Sequence, residues 1–69
     1  MFNVKLLKAE LLMKGITNDE FARLLCINKS TLSKKINGKS DWTLSELRKT
    51  GEILGVDKLN EIFFDLEVS

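Results

Sequence analysis

Residues 29–40 read KSTLSKKINGKS, setting lysines, hydroxyls and an amide around two apolar side chains, Leu32 and Ile36. The chemistry open to such a set is recognition rather than bond breaking. Lys29 and Lys34 carry ammonium groups able to donate to guanine O6 or N7, and Ser30, Thr31 and Ser33 are short hydroxyls that adapt to several acceptors. Catalysis finds little to use, because the chain has no His, one cysteine (Cys26) and no carboxylate pair placed for a cleft. The same shortage of His and Cys argues against a metal site, and no cofactor is expected. The plainer reading of residues 29–40 is a set of solvated helix faces.

The net charge of +1 is modest for a partner of a polyanion, but it is unevenly distributed. Residues 28–51 hold six basic and two acidic side chains, whereas residues 52–69 hold one basic and five acidic. A basic middle can face phosphates while an acidic end points away from them.

These residues need a scaffold, and the composition supplies a helical one. The 69 residues contain no Pro, with 43% hydrophobic and 30% charged side chains, which fits one small globular domain over 1–69 with a modest core. Cys26 reads as a small buried hydrophobe in a reducing cytosol, with a free redox-sensitive thiol as the other reading. The opening MFNVKLLKAELLMKG interrupts its apolar residues with Lys5, Lys8, Glu10 and Lys14. Neither a signal peptide nor a membrane span is expected there, and the expected location is cytoplasmic.

Periodicity and caps predict five helices. The first covers Asn3 to Lys14, with Val4, Leu7, Leu11 and Leu12 inward and Gly15 as its terminator. The second covers Asn18 to Leu25, with a Thr17–Glu20 capping box and an apolar face of Phe21, Leu24 and Leu25. The third covers Lys29 to Asn37, capped by Asn28 and ended by Gly38. A loop from Lys39 to Trp42 leads to a fourth helix with a Thr43–Glu46 capping box, core contacts from Leu44, Leu47, Ile53 and Leu54, and a stop at Gly55. Gly51 inside it reads as a point of close packing. The fifth covers Asp57 to Asp65, with Leu59, Ile62 and Phe63 inward, and Leu66 to Ser69 form either a frayed end or a short strand. Trp42 is expected to cap the core, or else to lie against a DNA backbone or a partner.

Helices two and three, joined by about three residues, satisfy what a helix-turn-helix requires. One amphipathic helix with a small Ala22 buttresses a second whose thin apolar stripe leaves its surface free for a DNA major groove. The alternative is a helical hairpin in a bundle.

The stretch GITNDEFARLLCINKSTLSKKING over residues 15–38 resembles the helix-turn-helix of Cro and lambda-repressor-like regulators, the Xre family. The likeness extends through DWTLSEL, ILGV and NEIFF, and that tail resembles small phage and prophage regulators of Gram-positive bacteria. It implies a compact five-helix all-α DNA-binding fold covering nearly the whole chain, without an effector domain or small-molecule effector. By position it implies base contacts from Lys29, Ser30 and Lys34, with Thr31 and Ser33 close to that face. It implies phosphate contacts from Asn18, where the family usually has Gln, and from Asn37, Lys39 and Ser40. Lys35 and Ile36 depart from the family pattern, making the outward face near Lys35 more basic, and Lys35 joins the expected phosphate contacts. Cys26 departs too, standing where the family has a turn glycine.

The expected function is that of a transcriptional regulator, a repressor bound as a homodimer to a palindromic double-stranded operator. One module binds weakly, and two half-sites multiply specificity. Helix five cannot bury adjacent Phe63 and Phe64 on one face, so a dimer surface is expected at Phe63, Phe64, Leu66 and Val68, where the alternation also suits a strand paired across the dimer. The alternative is a protein-binding module of the same fold, such as an antitoxin or anti-repressor.

Overall fold

The computed structural model describes residues 2–64. Five helices follow in order: α1 (Val4–Met13), α2 (Asn18–Leu24), α3 (Lys29–Ile36), α4 (Leu44–Leu54) and α5 (Val56–Phe63). The architecture is all-α, and no strand occurs among the described residues. The expected strand after Phe64 falls at Leu66–Ser69, outside them. α2 packs on α3, α4 on α5, and α1 against α5.

The helices begin where short polar side chains satisfy first-turn amides. Asn3 accepts from the Leu6 amide at 3.0 Å and Asn28 from the Thr31 amide at 2.7 Å. Thr17 with Glu20, and Thr43 with Glu46, complete the two predicted capping boxes.

The first three helices end in one motif. Gly15, Cys26 and Gly38 each take a left-handed backbone, with φ of 70°, 62° and 77°. In each case the next residue's amide reaches back to a carbonyl five residues earlier: Ile16 to Leu11, Ile27 to Ala22, and Lys39 to Lys34. The left-handed residue itself donates three residues back, to Leu12, Arg23 and Lys35 respectively. These paired bonds satisfy carbonyls the helix leaves open and turn the chain sharply. Ile16 and Ile27 then drop onto the core.

Leu7, Leu11, Phe21, Ala22, Leu25, Leu32, Ile36, Leu54 and Ile62 form the buried core. Trp42 caps it, as one sequence reading expected. Its ring lies edge-on to Phe63 at 5.0 Å and Phe2 at 5.5 Å, while Phe2 stacks on Phe63 at 5.0 Å. The Asn3 amide donates to the Ile62 carbonyl at 2.6 Å, tying the start of the chain to α5. Gly51 sits where α4 meets α5, and a Cβ there would stand 3.0 Å from Leu59 Cδ2, so the close packing expected at this glycine is present.

Three leucines expected inside lie outside. Leu12, Leu24 and Leu44 are 81%, 48% and 77% exposed. At 100° per residue each falls well off the inward arc of its helix, which is set by Leu7 and Leu11, by Phe21, Ala22 and Leu25, and by Glu46, Thr50 and Leu54.

Cys26 is also corrected, since it is exposed rather than buried. Its left-handed φ aims Cβ outward from the turn. Its Sγ lies 3.3 Å from the Lys49 ammonium of α4. A non-glycine residue in this region carries a steric cost of roughly 1–2 kcal/mol, part of which glycine returns through its larger unfolded entropy. Cys26→Gly is therefore expected to stabilise the protein by about 0.5–1 kcal/mol, read as a higher midpoint in urea unfolding. An unchanged or lower midpoint would show that the turn is unstrained.

Candidate nucleic-acid interface

α3 divides its residues cleanly. Leu32, Lys35 and Ile36 face inward, at the i, i+3, i+4 spacing of one helix face. Ser30, Ser33, Lys34 and Asn37 are exposed on the other side, Lys29 is exposed at the edge next to Ile36, and Thr31 is half-buried on the opposite flank. The structure thus leaves four of the five expected base-reading residues exposed, in an outward row that broadens from Lys29 at the groove edge to Lys34, with Thr31 half-buried.

The row is only lightly engaged. Lys29 makes an ion pair with Asp19 of α2 at 3.4 Å, with both side chains more than 60% exposed. Asn37, the C-cap of α3, donates from Nδ2 to Ser33 Oγ at 3.5 Å. Asn18 opens α2 and is exposed, as are Lys39 and Ser40 in the loop after α3. Beside the row runs a shallow groove with a floor of Leu32 and Ile36 and a rim of Lys8, Asn18, Lys29, Ser33 and Asn37. Lys8, on α1, was not among the expected contacts. No signal in residues 15–38 could have raised it, since it is brought there by tertiary packing alone.

Lys35 is a correction. Expected among the phosphate contacts, it is 6% exposed. Its ammonium pairs with Glu46 Oε1 at 2.9 Å and donates to the Asp41 carbonyl at 2.7 Å. The same Glu46 oxygen accepts from the Thr43 amide at 2.8 Å. The lysine is therefore a strut joining the end of α3, the following loop and the start of α4. A signal for this was present in the sequence, because Lys35 continues the Leu32–Ile36 inner stripe. Burial pushes the Glu46 carboxyl up, but the Thr43 amide and Lys35 outweigh it and hold the group below its ordinary value.

The expected dimer residues separate as well. Phe63 is turned inward against Phe2 and Trp42, so it serves the aromatic cluster rather than an outer surface. Phe64 is 49% exposed, because it follows Phe63 by one residue and points elsewhere. Leu66 and Val68 lie outside the described residues.

A short, well-capped helix with a polar outer row, set on a buttressing helix through a tight turn, is the geometry of a groove reader. A family model described as helix-turn-helix matches residues 7–58. This chain belongs to the Cro- and lambda-repressor-like helix-turn-helix family. It is a DNA-binding helix-turn-helix regulator, from a family of DNA binders rather than enzymes. No curated protein and no solved structure gives a significant match. Among its described residues the helix-turn-helix protein has no helix long and apolar enough to cross a membrane.

The strut yields two predictions. Glu46→Gln leaves the Lys35 charge buried without its counter-ion and should cost about 3–5 kcal/mol in urea unfolding, whereas Lys35→Met combined with Glu46→Gln should recover most of that loss. A double variant no more stable than Glu46→Gln would show that the charges are not coupled. The depressed Glu46 carboxyl contributes stability that is present above its ordinary value of 4.5 and is lost as pH falls from there through its folded value. The double variant should lack that part of the acid-induced loss, and an identical acid profile in wild type and variant would overturn the assignment.

Proposed function

We propose that this protein represses transcription by binding a palindromic operator as a homodimer, with α3 in the major groove. The observation that carries the reading is the outward row of α3, where Lys29, Ser30, Ser33 and Lys34 are exposed polar side chains on a helix whose inner face is fully engaged. These four, with Thr31 at the flank, are assigned to base edges. Asn18, Asn37, Lys39 and Ser40 are assigned to phosphates, which position the helix without reading sequence. The exposed Lys29–Asp19 pair is worth little in water, so it yields readily to a stronger acceptor.

Dimerisation is assigned to the surface around Phe64, which is exposed at the end of α5 next to the acidic segment 65–69. The proposed setting is that of a small phage- or prophage-type regulator acting without a small-molecule effector. A protein-binding role for α3 would be favoured by an excess of unpaired apolar surface on its outer row. The exposed large hydrophobics among the described residues, Leu12, Met13, Leu24, Leu44, Val56 and Phe64, all lie on other segments.

Selection of bound sites from random duplex DNA should enrich two-fold symmetric half-sites about one helical turn apart. No enrichment over input would overturn the proposal. On the preferred site Lys34→Ala should cost about 1–3 kcal/mol and relax one position, while Lys39→Ala should weaken all duplexes alike and flatten the salt dependence. Sedimentation at tens of micromolar should give a dimer, on DNA if not free. A monomer in both states would refute the dimer assignment.

A further inference from the structure

Charges on α1 are sorted between two sides of the helix. Glu10 is 7% exposed and meets Lys58 of α5 at 3.8 Å. Lys8, two residues earlier and therefore about 200° around the helix, lies on the far side. It is exposed and has no ion pair among the described residues. There it joins Asn18 and Asn37 on the rim of the groove whose floor is Leu32 and Ile36, both nearly buried. Its aliphatic stem can lie along the edge of that floor with the ammonium at the rim. Three helices thus converge on one concavity whose lining holds two lysines and two side-chain amides and, among the described residues, no carboxylate. The second rim lysine, Lys29, meets Asp19 in an exposed pair and belongs to the outward row of α3, so Lys8 is the rim cation that has no ion pair among the described residues and no place in that row.

We infer that Lys8, from outside the helix-turn-helix, anchors a backbone phosphodiester of double-stranded DNA in the groove between α1 and α3. The inference rests on the DNA-binding reading above. The ligand is the duplex backbone, because the groove flanks the outward row of α3 and offers donors without a shape that reads a base. Lys8 then fixes how far α3 enters the major groove, and its contribution is independent of sequence.

The test uses the full chain and three labelled 24-base-pair duplexes of GC-rich, AT-rich and mixed sequence, titrated over a range of salt. Lys8→Gln should weaken all three alike, by about three- to tenfold near 0.1 M salt, and lower the slope of log affinity against log salt by about 0.9. Lys8→Arg should restore both. Lys58→Gln makes the same charge change on the acidic side and should leave the slope unchanged, with circular dichroism confirming that each variant is folded. Wild-type binding with an unchanged slope in Lys8→Gln overturns the Lys8 assignment alone, as does an equal fall in slope for Lys58→Gln. Wild type that binds none of the duplexes, or binds only double-stranded RNA of the same length, overturns both this assignment and the DNA-binding reading.

Discussion

Lys35 and Glu46 meet at 2.9 Å with both side chains more than nine-tenths buried, and the placement of the recognition helix depends on that contact. Burying two charges costs several kcal/mol each, and the cost is offset only where geometry and additional hydrogen bonds are good. Here both partners are well satisfied. One Glu46 oxygen accepts from Lys35 and from the Thr43 amide, while Lys35 also donates to the Asp41 carbonyl. A single carboxylate therefore caps α4 and holds α3, and a single lysine fixes the loop between them. The end of α3 cannot tilt, and the Lys39–Ser40 segment cannot lift, without exposing or orphaning one of these charges.

The front of α3 is held by different means. Asn28 caps it, and the turn before it runs through Cys26 in the left-handed conformation. The same backbone solution serves at Gly15 and Gly38, where no side chain opposes it. At Cys26 the paired bonds from Cys26 to Arg23 and from Ile27 to Ala22 maintain it despite a Cβ. The motif places Ile27 against the core and so determines the angle between α2 and α3. Recognition depends on that angle, since a helix enters a major groove only in a narrow range of orientations.

Charge is arranged on the same plan. The Glu10–Lys58 contact links α1 to α5, and Lys58 also meets Glu61 at 3.3 Å, so acidic groups gather toward α5. Lys8 of α1 and Lys29 of α3 line the groove beside the outward row. With a net charge of only +1, this segregation rather than the total charge gives the protein a face suited to an anionic partner.

The caps, the terminating glycines, the five helices and the polar nature of α3 were legible in the chain because each depends on residues within four or five positions of one another. Trp42 and Gly51 could be read as packing points because their size, large in one case and absent in the other, has few other uses. What local pattern could not decide was the fate of side chains whose partners are distant in sequence. Lys35 looks like another surface lysine until α4 brings Glu46 to it, Phe63 looks equivalent to Phe64 until Phe2 and Trp42 cover it, and Lys8 looks unrelated to α3 until the fold sets it on the same groove. Leu12, Leu24 and Leu44 show the same limit from the other side. Hydrophobicity named them as core, but the direction each helix presents to its neighbours left them in water. Secondary structure here is local hydrogen-bond chemistry, which the sequence alone determined. Which charges are buried, and which remain free to meet a phosphate, is set by contacts between helices, and only the tertiary structure decided that.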